Sequence, residues 1–348
     1  MRCSGIAWTG SGFEVAVLDE SGRPAAPPAR FAAGRIRALT DHLLGLQREF
    51  AATGERLLTV IDSTNGMLDG GLISAGLTVY RADPWVLPPR PAFGSVPAED
   101  LAAAALHDPD AVVRLTVETG TFGDRAAQLA ADIDASIPAL ELMRRAGRCL
   151  VSGHRERPVV ALTFDDGPNP PFTGRILDVL DRYAVPATFF CVGLHALAHR
   201  AELERTAAAG HQIANHSWSH PYLPDLGRGE VLAQLERTDE AIAGAVGGGD
   251  GPRMFRPPYG SRTPDVLRWL TEGDTTVVLW DVEPTDWARP GAGAITRAVL
   301  EQTRPGSLIL LHDGGGDRSQ TVDALPGVIE GLLDRGYTFA RVDGLPTA

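Results

Sequence analysis

Pro158-Val159-Val160-Ala161-Leu162-Thr163-Phe164-Asp165-Asp166-Gly167-Pro168 is the stretch whose reading decides the fold. An apolar run that ends in two adjacent carboxylates and breaks at Gly-Pro describes a strand delivering two acids at its C-terminal edge, where α/β folds build their sites. Two neighbouring acids invite a division of labour, one ligating a metal while the other stays free to take a proton. The competing reading is a solvated turn, because Asp, Gly and Pro all favour turns. Further ligands and an acid elsewhere in the chain would decide between them.

Downstream the sequence alternates strand and helix. A helix is expected near 173–184, then a strand Ala187-Thr188-Phe189-Phe190-Cys191-Val192, a helix near 200–209 and a strand Gln212-Ile213-Ala214-Asn215. A long helix near 229–246, a glycine-rich loop at 247–251 and further β/α units follow, ending at Thr338-Phe339-Ala340-Arg341-Val342. Such alternation predicts a parallel sheet closed as a barrel, with active residues at the C-terminal ends of its strands.

Those strand ends are rich in chemistry. Asn215 is followed by His216-Ser217-Trp218-Ser219-His220, and two histidines four apart lie on one face of a helical turn and can chelate one ion. With Asp166 they make two imidazoles and one carboxylate, three protein ligands that leave a position for water. His195, His199 and His211 lie in or beside helical stretches without acidic partners and read as structural or surface residues. In Met254-Phe255-Arg256-Pro257-Pro258-Tyr259-Gly260 the proline pair stiffens the backbone, so the Tyr259 N–H can be held toward an oxyanion while Arg256 holds one of the paired acids. The strand Thr276–Trp280 runs into Asp281-Val282-Glu283-Pro284-Thr285-Asp286-Trp287, and Leu308-Ile309-Leu310-Leu311 ends in His312-Asp313. A His at one strand end and an Asp at another suit an oriented general acid.

Composition narrows the function classes. The 348 residues are 44% hydrophobic and 22% charged, enough for two domains. A net charge of −12 disfavours a nucleic-acid partner, which needs a basic face. The absence of any lysine excludes a Schiff-base lysine, a Lys base and a lysine-bearing P-loop. Cys3, Cys149 and Cys191 are scattered, without CxxC spacing, and read as free thiols. With neither a secretory h-region nor a membrane-length apolar run, a cytoplasmic protein with no membrane partner is expected.

The first half reads as a smaller α/β domain over residues 1–150, in the order ββ(β)αβαβ, with a strand at 57–61 ending in Asp62 and another at 77–80. A helix near 98–106, a strand at 111–117 and a helix near 124–146 complete it, and the polar segment 152–158 is the expected boundary. Residues 3–107 resemble the ribonuclease-H-like domain of DEDD-type insertion-sequence transposases. That family's metal-binding acids fall here on Ala7 and Pro97, leaving only Asp62 and Asp100 of such a set, so the resemblance implies a catalytically silent scaffold.

The motifs TFDDGP, HSWSH, RPPYG, DVEPTDW and LLH, in this order over 155–345, resemble the five motifs of the NodB-homology polysaccharide deacetylases, carbohydrate esterase family 4. The resemblance implies a distorted (β/α) barrel over 151–348. It also implies Asp165 as general base, Asp166, His216 and His220 as ligands of a divalent metal, Arg256 holding Asp165, and the Tyr259 N–H as oxyanion donor. His312 would be the general acid oriented by Asp281, with Trp287 and Leu310 walling the acyl methyl. The metal implied is zinc, with cobalt, nickel or manganese as alternatives. The reaction implied is removal of an N-acetyl or similar small acyl group from an acetamido sugar, oligosaccharide or small metabolite by metal-activated water. The alternatives are an O-deacetylase of a carbohydrate ester, a catalytically weak binding or regulatory protein that keeps the barrel, and a nuclease centred on the first domain. A homodimer through the N-terminal domain is a further expectation. If the two acids divide their roles in this way, Asp166→Ala loses the metal, whereas Asp165→Asn keeps it and loses turnover, as metal content and acetate release together will show.

Overall fold

The computed structural model describes residues 1–91, 93–117, 120, 122–247 and 253–346, so the glycine-rich loop expected at 247–251 lies outside the described residues except for Gly247. The first sheet is built by β1 (Arg2–Thr9), β2 (Gly12–Asp19) and β3 (Pro24–Ala32), then, after α1 (Ile36–Ala52), by β4 (Leu57–Asp62). The short helix α2 (Asp69–Ser74), β5 (Val79–Ala82), α3 (Ala98–His107) and the two-residue β6 (Val113–Arg114) complete this unit. Its strand order is β3-β2-β1-β4-β5-β6, antiparallel through β3-β2-β1 and parallel through β1-β4-β5. The strand expected at 111–117 shrinks to β6.

After α4 (Ala126–Arg145) come β7 (Cys149–Leu150), β8 (Val159–Asp165), α5 (Phe172–Tyr183), β9 (Ala187–Cys191), α6 (Gly193–Ala198), α7 (Arg200–Ala208) and β10 (Gln212–Asn215). The chain continues through α8 (Arg228–Val246), β11 (Arg253–Phe255), α9 (Pro264–Glu272), β12 (Thr275–Val278), α10 (Ala292–Gln302), β13 (Leu308–His312), α11 (Ser319–Leu333) and β14 (Thr338–Phe339). The second sheet runs β13-β8-β9-β10-β11-β12-β7 with every ladder parallel, and β14 adds to β8. Single bridges Val282↔Ile309 and Ser152↔Ser307 join its two edges, giving the distorted α/β barrel that the alternation predicts.

The two-residue side-chain period of β8 decides what faces the barrel interior. Val160, Leu162 and Phe164 point outward into the core beneath α5, α10 and α11, where Phe164 and Phe189 stack with centroids 5.1 Å apart. Ala161 belongs to the inner cluster with Phe190, Ala214 and Val278, and Thr163 and Asp165 share its parity. On α11 the buried Val322, Leu325, Ile329 and Leu332 recur at helical spacing and close the outer layer.

Near the expected boundary at 150 the chain is already packed on the barrel. Cys149–Leu150 already pair with β12, and α4 packs on α9 and β7, its Met143 joining Val266, Leu267 and Leu270 in one core. The two units are also welded, because Val192, Leu194 and Trp218 of the barrel share a cluster with Ile6, Trp8, Leu39 and Met67. A polar clasp reinforces this. Arg81 is fully buried against Asp83 and Asp124, and Arg125 pairs with Asp225 at 2.9 Å. Among the described residues no helix is long and apolar enough to cross a membrane. Truncating the stacked ring in Phe189→Ala is expected to cost about 3–5 kcal/mol of stability, read as a lower urea midpoint at unchanged slope.

Candidate metal-dependent active site

The site is the point where β8, the β10 loop, the β11 turn and β13 converge. Arg256 fills the barrel interior with no exposed surface, its guanidinium 4.1 Å over the Phe190 ring. Its Nη1 donates to Asp165 Oδ1 at 2.7 Å and to Thr163 Oγ1 at 2.8 Å, while Nε and Nη2 donate to the Val278 and Leu279 carbonyls. Each nitrogen of the fork donates to an acceptor, so Asp165 is a buried carboxylate with a fixed orientation. Burial pulls the Arg256 guanidinium below its ordinary value, and Asp165 opposes that pull.

Asp166 turns away from the strand through a left-handed backbone, φ 76°. Its Oδ1 lies 3.1 Å from His220 Nε2 and 3.4 Å from His216 Nε2. The HSWSH segment is not the helical turn that the spacing predicts. It is an irregular loop in which Ser217 and His220 adopt φ of 68° and 56°, and those two residues swing both rings onto Asp166. Left-handed non-glycine residues cost on the order of 1–3 kcal/mol each and persist where packing over-determines them. Here Trp218 anchors the loop in the core shared by both units. His216 Nδ1 donates to the Arg256 carbonyl at 2.7 Å, which leaves the Nε2 lone pair toward Asp166.

Asp166, His216 and His220 offer ligand atoms within 4.8 Å of one another, and Asp166 Oδ1 is buried without a hydrogen-bond partner. A cation is what such a donor set fits: two neutral imidazoles and one carboxylate. Burial alone would raise the Asp166 carboxyl, but His220 and His216 overcome it and hold it well below the usual carboxylate range. Burial pushes His220 down against the pull of Asp166, keeping its ring neutral and able to ligate. Among the described residues no other group has this geometry, and Asp62 and Asp100 are not brought to it.

His312 pairs with Asp165 across β13 and β8, so acid and base candidates stand at the same level of the barrel. The orienting carboxylate is Asp286, not Asp281. Asp286 lies 2.7 Å from His312 Nδ1, accepts from the His312 N–H at 2.9 Å and from Thr321 Oγ1 at 2.7 Å, and is 1% exposed. Asp281 instead accepts from the Leu308 N–H, from Ser307 Oγ and from Arg155. The strand register explains the difference. The chain after β12 meets β13 at its start, Asp281 beside Leu308, and His312 is four residues further on, roughly 13 Å at ~3.3 Å per residue. The loop from 281 to 286 covers that distance. Burial would lower His312, but the Asp286 carboxylate outweighs it and raises the imidazole to about 9.

Tyr259 sits at φ 58° in the turn after Pro258, its ring 4.4 Å from that of His220, and lines the same cavity as Trp287 and Leu310. Three supports escape a reading of the sequence. His195, expected to be structural or on the surface, is buried with Nδ1 2.6 Å from the Asp166 carbonyl. Asp313 accepts from the Gly167 N–H and from Thr173 Oγ1, so it pins the loop that carries the paired acids. Arg318 binds the Gly314, Gly315 and Trp287 carbonyls. Asp286 and Asp313 carried a signal in the sequence: their adjacency to Trp287 and His312, which already had places in the site.

A parallel barrel with a His-His-Asp cluster, a clamped carboxylate and an Asp-oriented His at its strand ends is the layout of a metal-dependent hydrolase. The chain belongs to the polysaccharide deacetylase family, whose sequence profile matches residues 152–278. It is 45% identical over 190 residues to the chitooligosaccharide deacetylase of Sinorhizobium fredii, covering 52% of this chain and 88% of that protein. A peptidoglycan-N-acetylglucosamine deacetylase of Bacillus cereus is 39% identical over 195 residues, 56% of this chain and 70% of that protein. The crystal structure of the Bc1960 peptidoglycan N-acetylglucosamine deacetylase superposes with a TM-score of 0.56 at 36% identity, covering 59% of this chain and 96% of that one.

If His312 serves as the general acid, its imidazolium form gives the proton, so activity is present below its pKa and lost as pH rises through about 9. Asp286→Asn removes the stabilising charge and is expected to move the alkaline limb of kcat/KM down toward the ordinary histidine value of about 6.5. Asp281→Asn leaves that limb in place.

Proposed function

We propose that the protein removes an N-acetyl group from an acetamido sugar or related small compound, with zinc as the ion held by Asp166, His216 and His220. The single observation that carries this reading is that a fitted ligand set, a clamped carboxylate and a charged His stand around one cavity. A divalent ion held there supplies a Lewis acid and lowers the pKa of water from about 15.7 toward about 7.

The chain's own residues supply the proton movements. Asp165, with one oxygen committed to Arg256, accepts a proton from the attacking water through the other. Water adds to the amide carbon and an oxyanion develops on the former carbonyl oxygen. The Tyr259 N–H donates to it, an interaction typically worth on the order of a hundredfold or more in rate. His312, with Nδ1 committed to Asp286, gives the proton on Nε2 to the departing nitrogen. Without that proton the C–N bond does not break, because an amide anion is too basic to leave. Acetate and a free amine result, and the proton held by Asp165 restores the starting state through solvent. Trp287 and Leu310 bound the space for the acyl methyl.

The test is acetate release from simple N-acetylglucosamine glycosides by the full chain, before and after chelation. The expected outcome is loss of release with chelator, recovery with added zinc, and at least a hundredfold loss in His312→Ala. Release that survives chelation, or full activity in His312→Ala, overturns the reading.

A further inference from the structure

About half of the residues around the active-site cavity come from positions 66–133, before the family match begins at residue 152. This part of the chain is fitted against the catalytic rim at backbone distance. A Cβ added at Gly66 would stand 2.1 Å from the Tyr259 hydroxyl and 2.6 Å from the His220 carbonyl. One added at Gly70 would stand 1.9 Å from the Gly315 carbonyl, and Gly315 is itself packed on Asp166. On a third side Phe122 meets the Tyr259 ring at 4.8 Å, and an added Cβ at Gly120 would lie 3.4 Å from Trp287. A polymer chain threading the site needs a groove open at both ends, and these contacts occupy the rim. What is left is a cavity of about 490 Å³, within the range of about 300–1,000 Å³ that encloses a small ligand.

The wall has a polar and an apolar part. The polar part holds the Asp-His-His cluster and Asp69, the first residue of α2. Ile73, one helical turn along α2, lines the same cavity, and α4 contributes Ala126, Leu129 and Ile133 at spacings of three and four, which make one apolar stripe. The stripe cannot serve a long acyl chain, because Gly120 closes against Trp287 and Leu310 is only 3% exposed, leaving a shallow hollow on the acyl side.

We infer that the N-terminal unit and α4 select the substrate: a single acetamido sugar residue that carries an apolar substituent on the side away from the acetyl group. The inference rests on the deacetylase reading above for the direction of the acyl group. The sugar hydroxyls face Asp69 and the polar part of the wall, and the substituent lies between Ile73 of α2 and Leu129 and Ile133 of α4. Chitin-like oligomers are expected to bind no better than a single residue, because the N-terminal unit and α4 supply about half of the cavity lining.

The experiment uses the full zinc-loaded chain and four probes: methyl and hexyl N-acetyl-β-glucosaminide, methyl N-octanoyl-glucosaminide and chitohexaose. Binding is followed by calorimetry on the Asp165→Asn protein and acetate release on the wild type. The hexyl glycoside is expected to bind at least tenfold tighter than the methyl glycoside, with chitohexaose no better than the methyl glycoside. Ile133→Asp and, independently, Ile73→Ser are expected to reduce the hexyl-to-methyl ratio about tenfold, and two positions on separate helices guard against a folding defect in either. Tight binding of chitohexaose, preference for the octanoyl amide over the hexyl glycoside, or an unchanged ratio in both variants overturns the inference. If the hexyl preference holds while no probe is hydrolysed, the selection stands and the deacetylase reading fails. If chitohexaose is deacetylated well, the deacetylase reading stands and the selection fails.

Discussion

The buried contact between Arg256 and Asp165 is the constraint around which the barrel is arranged. A guanidinium with no exposed surface has lost its water, and a lone buried charge costs several kcal/mol unless its partners replace that water. Here the replacements are Asp165, Thr163, the carbonyls of Val278 and Leu279 and the face of Phe190. These partners come from β8, β9 and the chain at and just beyond β12, so satisfying one side chain fixes the relative level of several strands. The Arg256 carbonyl then receives His216 Nδ1, which ties the base candidate and the metal ligands to the same residue.

Negative charge accumulates beside that contact and has to be compensated. Asp313 crowds the loop that carries Asp165 and Asp166; burial, with both neighbouring acids adding to it, raises the Asp313 carboxyl to about 7. Thr173 and the Gly167 N–H satisfy it, His216 and His220 face Asp166, and Arg256 faces Asp165. The glycines of this region follow from the crowding, since any side chain at Gly167 would meet the Asp313 carboxylate at 1.9 Å. His312 has a carboxylate of its own, so one small volume holds the neutral His220 imidazole and the charged His312 imidazole side by side.

The N-terminal unit adds a second constraint of shape. Among its described residues no group of His, Cys, Asp and Glu is fitted to a metal, and its contribution to the site is made by a helix start, two close-packed glycines and a loop. The clasp of Arg81, Asp83, Asp124, Arg125 and Asp225 holds that contribution in register with the barrel. The unit therefore changes which molecules reach the reacting atoms while leaving the reacting groups themselves to the barrel.

The barrel, its strand ends and the residues Asp165, Asp166, His216, His220, Arg256 and His312 were legible in the amino-acid sequence. Hydrophobic periodicity sets strand and helix locally, and parallel barrels present their chemistry at one end. Three things were not legible. The partner of His312 is Asp286 because inter-strand register, a tertiary quantity, places Asp281 at the wrong end of β13. The HSWSH loop reaches its ion geometry through left-handed residues held by packing, where spacing alone suggested a helical turn. The glycines at 66 and 70 meet Tyr259 and Gly315 across about two hundred residues of chain, and the apolar stripe of α4 lines the same cavity. The sequence by itself determined which groups stand at the strand ends, because residue type and local period encode that; only the tertiary structure decided their pairing and the shape of the cavity, because both depend on which distant backbones come into contact.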